Sequence, residues 1–145
     1  MDRETAVKLW EKAVGEGLWH VPWAKALEGL SASQAAWKPA PQRHSIWQIV
    51  NHILFWREYL LRELAGAPPD DAEIERRNWE EPADASEGAW RETATRFLRS
   101  HEEILKALRS NEEAPGKLAP LLAHDSYHVG QIMYLRALQG LPPLD

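Results

Sequence analysis

HSIWQIVNHILFWREYLLREL (44–64) and KLAPLLAHDSYHVGQIMYLRAL (117–138) decide how this chain folds. Each places its apolar residues at the three- and four-residue spacing of an amphipathic helix. Ser45 stands where the first of them needs an N-cap, and Gly66 follows where it must end. Upstream, Asp2 is placed to cap another helix, with Val7, Trp10, Val14 and Leu18 at helical spacing and an expected extent to about Leu30. Gly15, Gly17 and Pro22 interrupt it, and Pro22 bends it or starts a second piece. Ser31 and Ser33 cap a short turn before the connector Lys38-Pro39-Ala40-Pro41.

Downstream of Gly66, the segment GAPPDDAEIERRNWEEPADAS (66–86) reads as a long polar connection holding three prolines. A third long helix spans about Ser86 to Ser110 and carries Trp90, Phe97, Ile104, Leu105 and Leu108. Asn111 to Gly116 breaks the chain before the last helix, which ends at Gly140 with Pro142 and Pro143 beyond. Four long helices and almost no strand signal predict an all-α four-helix bundle, one domain over residues 1–145. The last two helices are joined tightly and should be antiparallel neighbours. The 66–86 connection exceeds what an adjacent hairpin needs. It can cross the bundle and make helices two and three parallel, but spacing alone leaves up-down-up-down open as well.

His124 and His128 lie four apart on one helix, so both imidazoles point the same way. An HxxxH pair by itself is a weak motif. The third member gives it weight: His52 sits in the most apolar helix, beside Ile49, Ile53, Phe55 and Trp56, where an unpartnered polar ring is costly. His52, His124 and His128 would make a three-nitrogen metal site with positions left open, as a catalytic site needs. Three neutral imidazoles leave the full charge of a divalent ion in place, which acidifies a bound water or thiol. Nitrogen donors suit Zn²⁺, Ni²⁺ or Cu²⁺, with Zn²⁺ or Ni²⁺ the expected cofactor.

Ligand imidazoles usually donate their second N–H to a fixed partner. Gln48, one turn before His52, and Gln131, three residues after His128, are candidates for that role or for substrate contact. Trp56, one turn after His52, is the best candidate for a substrate pocket, with Tyr59 behind it. The chain has eight tryptophans; Trp10, Trp19, Trp23, Trp47 and Trp56 can roof such a pocket or fill the core, each burying a large apolar area. Asp125 is turned roughly 100° from His124 on the helix and is not taken as a ligand. His20, His44 and His101 have no helical partner and read as surface or capping residues. No general base stands out, so no catalytic residue is assigned.

Composition narrows the partners. A net charge of −5 argues against nucleic acid or an anionic membrane surface as the main partner. No apolar stretch is long enough to span a bilayer, and the charged start MDRETAVKLWEK lacks a signal core, so a cytoplasmic protein is expected. There is no cysteine, which removes disulfides and a protein thiol nucleophile. Any thiol chemistry must use a small-molecule thiol.

Two elements carry a resemblance: Ile46-x₅-His52 on helix two, and His124-x₃-His128-x-Gly130-Gln131 on the last helix. With the connector AAWKPAPQRHSIWQIVNHILFWREY (35–59) and the long crossover, they resemble the DinB-like superfamily over nearly the whole chain. That resemblance implies an up-down-down-up bundle with its crossover between helices two and three, frequent homodimers, and a divalent metal held by His52, His124 and His128. Members with known activity include thiol-dependent S-transferases and a mycothiol-dependent maleylpyruvate isomerase. The resemblance therefore implies a transferase that activates a low-molecular-weight thiol toward a small-molecule substrate. A metal-dependent hydrolase using bound water, or a non-catalytic metal-binding bundle, are the alternatives.

Overall fold

Short oxygen-bearing side chains start the helices in the computed structural model, which describes residues 1–144. Asp2, Ser31, Ser45, Asp70 and Ser86 each accept the backbone N–H three residues on. Each such cap stabilises its helix by about 1 kcal/mol. Gln34 and Gln48 reach back to the N–H of Ser31 and Ser45 and complete capping boxes. The helices are α1 (Arg3–Gly15), α2 (Ala32–Ala36), α3 (Ile46–Leu64), α4 (Asp71–Arg77), α5 (Glu87–Ser110) and α6 (Ala114–Leu138). No strand occurs among the described residues.

Three expectations change. The first helix stops at Gly15 and does not run on toward Leu30. The chain turns at Gly17, whose φ is +85° and where an added Cβ would lie 2.0 Å from the His20 carbonyl oxygen. Only glycine fits there. The 66–86 connection is not all loop: Asp70 caps α4, whose acidic first turn and basic last turn match the helix dipole. The last helix begins at Ala114, ahead of Lys117, because Pro115 occupies its first turn, where a missing N–H costs nothing.

α3 has no exposed residue and is the central element, packed against α2, α5 and α6, while α1 lies on α5 and α6. Trp47 meets Thr93, and ten residues on Arg57 meets Ser100, so α3 and α5 run in the same direction. His52 meets His124, Arg57 meets Asp125 and Glu63 meets Lys117, so α3 and α6 run in opposite directions. That stagger sets His52 level with the two histidines of α6. Trp10, Trp23, Trp47 and Trp90 fill the core, whereas Trp19 is wholly exposed. Trp10, Trp47 and Trp90 donate their indole N–H to His101 O, Thr93 Oγ1 and Leu30 O.

His101 is not a surface residue. It is 3% exposed, packed among Trp10, Trp23 and Phe97. The turn Trp23–Lys25 and α1 cover the side of α5 that carries it.

Candidate metal centre

α3 and α6 bring His52, His124 and His128 together, with one ring nitrogen from each within 4.8 Å of the other two. The Nε2 atoms of His52 and His124 are 3.0 Å apart. Each ring is held at its other nitrogen by an oxygen that can only accept. His52 Nδ1–H donates to the carbonyl of Asn78 at 2.6 Å, His124 Nδ1–H to Asp125 Oδ1 at 2.9 Å, and His128 Nδ1–H to Gln131 Oε1 at 2.7 Å. Assigned from these partners, all three rings carry their proton on Nδ1 and turn an Nε2 lone pair toward one point. Facing lone pairs repel unless a cation lies between them. The donor set therefore fits a divalent metal, in the arrangement that metal-ligating histidines usually have.

Electrostatics favours the ligand-ready form. Burial pushes the His52 imidazole down to about 4, with the Asn78 carbonyl opposing the shift and the neighbouring His128 and His124 adding to it. Burial also lowers His128, against the pull of Gln131. His52 and His128 are neutral at pH 7. Both are buried, whereas the His124 side chain keeps 27% of its surface exposed. The centre is approached from the His124 side.

The crossover supplies a wall that the sequence reading did not name. Four side chains of α3 fasten it: Gln48 Nε2 donates to Trp79 O, Asn51 Nδ2 to Glu80 O, His52 to Asn78 O and Trp56 Nε1 to Asn78 Oδ1. These bonds seat the Trp79 ring flat between His52, at a centroid distance of 3.7 Å, and His44, at 3.8 Å. Gln48 thus supports the centre through the strap and makes no hydrogen bond to a ligand ring. Gln131 bonds His128 directly, and Tyr127 accepts from its amide. Trp56 lines a cleft of about 370 Å³ with Tyr59, Leu60, Pro120, Leu121 and His124. Pro120 has no N–H for the carbonyl of Gly116, and both residues line that cleft. A second cleft of about 700 Å³, lined by His44, Arg43, Tyr127 and Gln131 among others, opens on the other flank.

Asp125 is no ligand, yet it touches the site. It is fully buried, accepting His124 Nδ1–H on one oxygen and Arg57 Nε–H on the other, at 2.8 Å. A model of the DinB superfamily matches residues 22–135. The chain belongs to the DinB superfamily. The three histidines of the site and the crossover strap all lie within the matched span. No curated protein and no solved structure matches this DinB-superfamily chain. No helix of it is long and apolar enough to cross a membrane, among the described residues.

Proposed function

We propose that this chain is a metal-dependent transferase that activates a small-molecule thiol at His52, His124 and His128. The observation that carries the reading is the set of three imidazoles, each pinned at Nδ1, whose Nε2 atoms converge beside an apolar cleft. A divalent ion held there, Zn²⁺ or Ni²⁺ from the nitrogen donors, supplies Lewis acidity that favours thiolate over thiol. The protein's own residues hold the ring tautomers, exclude water through Trp79, and offer apolar walls at Trp56, Tyr59 and Leu121 to an electrophilic substrate.

Two features favour a thiol over a water nucleophile. The carboxylates beside the site are engaged: Asp125 with Arg57 and His124, Glu63 with Lys117. A bound divalent ion would acidify either nucleophile, and a thiol, starting near 8.5 against 15.7 for water, needs a free base less. Clefts on both flanks also suit a reaction of two substrates. The pairwise helix directions support an up-down-down-up bundle.

Metal analysis of the purified protein comes first. Glutathione or cysteine is then supplied with 1-chloro-2,4-dinitrobenzene, whose chloride leaves as the C–S bond forms and the thiol proton passes to buffer. Metal-dependent conjugation supports the transferase. Metal-dependent ester hydrolysis without conjugation would move the assignment to a hydrolase, and neither activity would leave a metal-binding bundle.

A further inference from the structure

Arg57 is 1% exposed, deep in α3, where a cation is costly unless its contacts are fixed. Two of its nitrogens and its faces have fixed contacts. Nε–H donates to Asp125 Oδ2 at 2.8 Å, Nη1–H to Ser100 Oγ at 2.7 Å, and the guanidinium lies 5.0–5.5 Å from the rings of Phe97, Trp10 and Trp23. Nη2 has no partner among the described residues. An arginine placed only to bind the helices together would be a poor choice, since apolar residues of similar volume often serve a buried pair's place as well or better. What the pair does that apolar residues cannot is aim an oxygen.

With Oδ2 held by Arg57, the Asp125 carboxylate has one orientation left, and Oδ1 points at His124 Nδ1. His124 depends on this more than its neighbours do on their partners. His52 is held by a backbone carbonyl and stacked on Trp79, and His128 is buried and held by Gln131. His124 is the most exposed of the three and, among the described residues, has no other hydrogen-bonding partner that would orient its ring, apart from His52 itself.

We propose that Arg57 is a positioning residue for the metal centre: through Asp125 it holds His124 in the Nδ1–H tautomer, with Nε2 aimed at His52 and His128. The proposal rests on the metal-centre reading above, but the ring tautomer exists with or without metal and can be tested separately. Removing the clamp leaves Asp125 free to rotate. His124 then samples both tautomers and turns toward solvent, while His52 and His128 stay in place. Loss of such an outer partner typically costs roughly 10- to 100-fold in metal affinity.

The test uses the ¹⁵N-labelled full chain, metal-free, at about pH 8, above the ordinary histidine range. Two variants are compared with wild type: Arg57→Met, and Arg57→Met with Asp125→Asn. The double variant leaves no uncompensated buried charge and guards against a single variant that fails to fold. Long-range imidazole spectra report the tautomer of each histidine, and chelator competition reports Zn²⁺ affinity. The expected result is that His124 alone becomes a mixture of tautomers and that Zn²⁺ binds roughly 10- to 100-fold more weakly. Unchanged His124 signals in the variants would overturn the proposal. So would equal disturbance of all three histidines, which marks a purely structural role, or a wild-type His124 already in the Nε2–H form. If wild type binds no Zn²⁺, the metal reading fails, yet the His124 tautomer still decides the role of Arg57.

Discussion

Trp79 and His52 lie face to face, with ring centroids 3.7 Å apart and planes 5° from parallel. One comes from the crossover and the other from the apolar heart of α3. The stack is held because the Asn78 carbonyl, one residue before Trp79, accepts the His52 Nδ1–H. One residue pair therefore fixes both the ring plane and the tautomer of a candidate ligand. It also ties the state of the centre to an indole that can be seen by fluorescence.

Cu²⁺ added to the metal-free protein should quench tryptophan emission, with Trp79 accounting for a large share of the loss. In a Trp79→Phe variant the fractional quenching should fall clearly below wild type at equal Cu²⁺ occupancy. Equal fractional quenching in the two proteins would mean that the strap does not cover the bound ion. Trp79→Ala should also lower stability by about 1 kcal/mol, from loss of the aromatic pair, as read by urea unfolding.

The depressed titration of His52 sets a pH dependence for the metal-free protein. Its ordinary value is 6.5 and its folded value about 4. Below pH 6.5 the unfolded chain takes up a proton that the folded chain refuses. The contribution is therefore fully present above pH 6.5 and is lost as pH falls toward 4. His101, pushed down to about 2 by burial and by Arg57 nearby, acts in the same direction. Stability should fall on the order of 2 kcal/mol from His52 by pH 4, at about 1.4 kcal/mol per pH unit with allowance for partial solvation. Denaturant midpoints that stay flat between pH 7 and pH 4.5 would contradict the neutral-histidine account.

How much of this was legible in the residues varies by interaction. His52, His124 and His128 could be picked out because helical spacing and an apolar context leave a signature in side-chain identity. The strap could not, since His52 and Gln48 meet backbone carbonyls of Asn78 and Trp79, and every residue has one. α4 did carry a signal, Asp70 with Glu73 three residues on, but three prolines and high polarity in 66–86 pointed to loop. The Cβ of Asp125 points away from that of His124, so helical spacing hides their contact, yet the side chains meet across that angle. The burial of His101 depends on a turn at Gly17 that folds Trp23 back over α5, a tertiary event that local pattern does not encode.

Metal removal should leave the fold standing. Most of the buried apolar side chains form two clusters, drawn from α1, α2, α3, α5, α6 and the turn at Trp23, that do not depend on the three histidines. After chelation, helical circular dichroism should remain within a few per cent of the loaded protein, by the reasoning that a domain of this size has its own core. His124→Ala should abolish tight Zn²⁺ binding and cost about 1 kcal/mol, because its ring is partly exposed but the buried Asp125 Oδ1 loses its donor. His52→Ala should cost more, on the order of 2 kcal/mol, since it also removes the bond to Asn78 and the Trp79 stack. Loss of most helicity on chelation would instead make the metal structural.

His101 offers a test in which removing a polar group helps. Among the described residues its Nε2 is buried without a partner, and the Trp23 indole N–H and Arg57 Nη2 are likewise unpaired. All three surround one region, since Trp23 lies 6.4 Å from His101 by ring centroid and 5.5 Å from the Arg57 guanidinium. An unsatisfied buried polar atom costs about 1–3 kcal/mol. His101→Leu keeps similar bulk among Trp10, Trp23 and Phe97 and leaves nothing unpaired at that position. The Trp10 indole N–H is unaffected, because it donates to the backbone carbonyl of residue 101. The variant should therefore unfold at a higher denaturant midpoint, by about 1 kcal/mol, with Zn²⁺ affinity unchanged. A clear loss of stability would mean that Nε2 does have a partner, and an ordered water bridging it to Arg57 Nη2 and the Trp23 N–H would be the first to seek in a crystal.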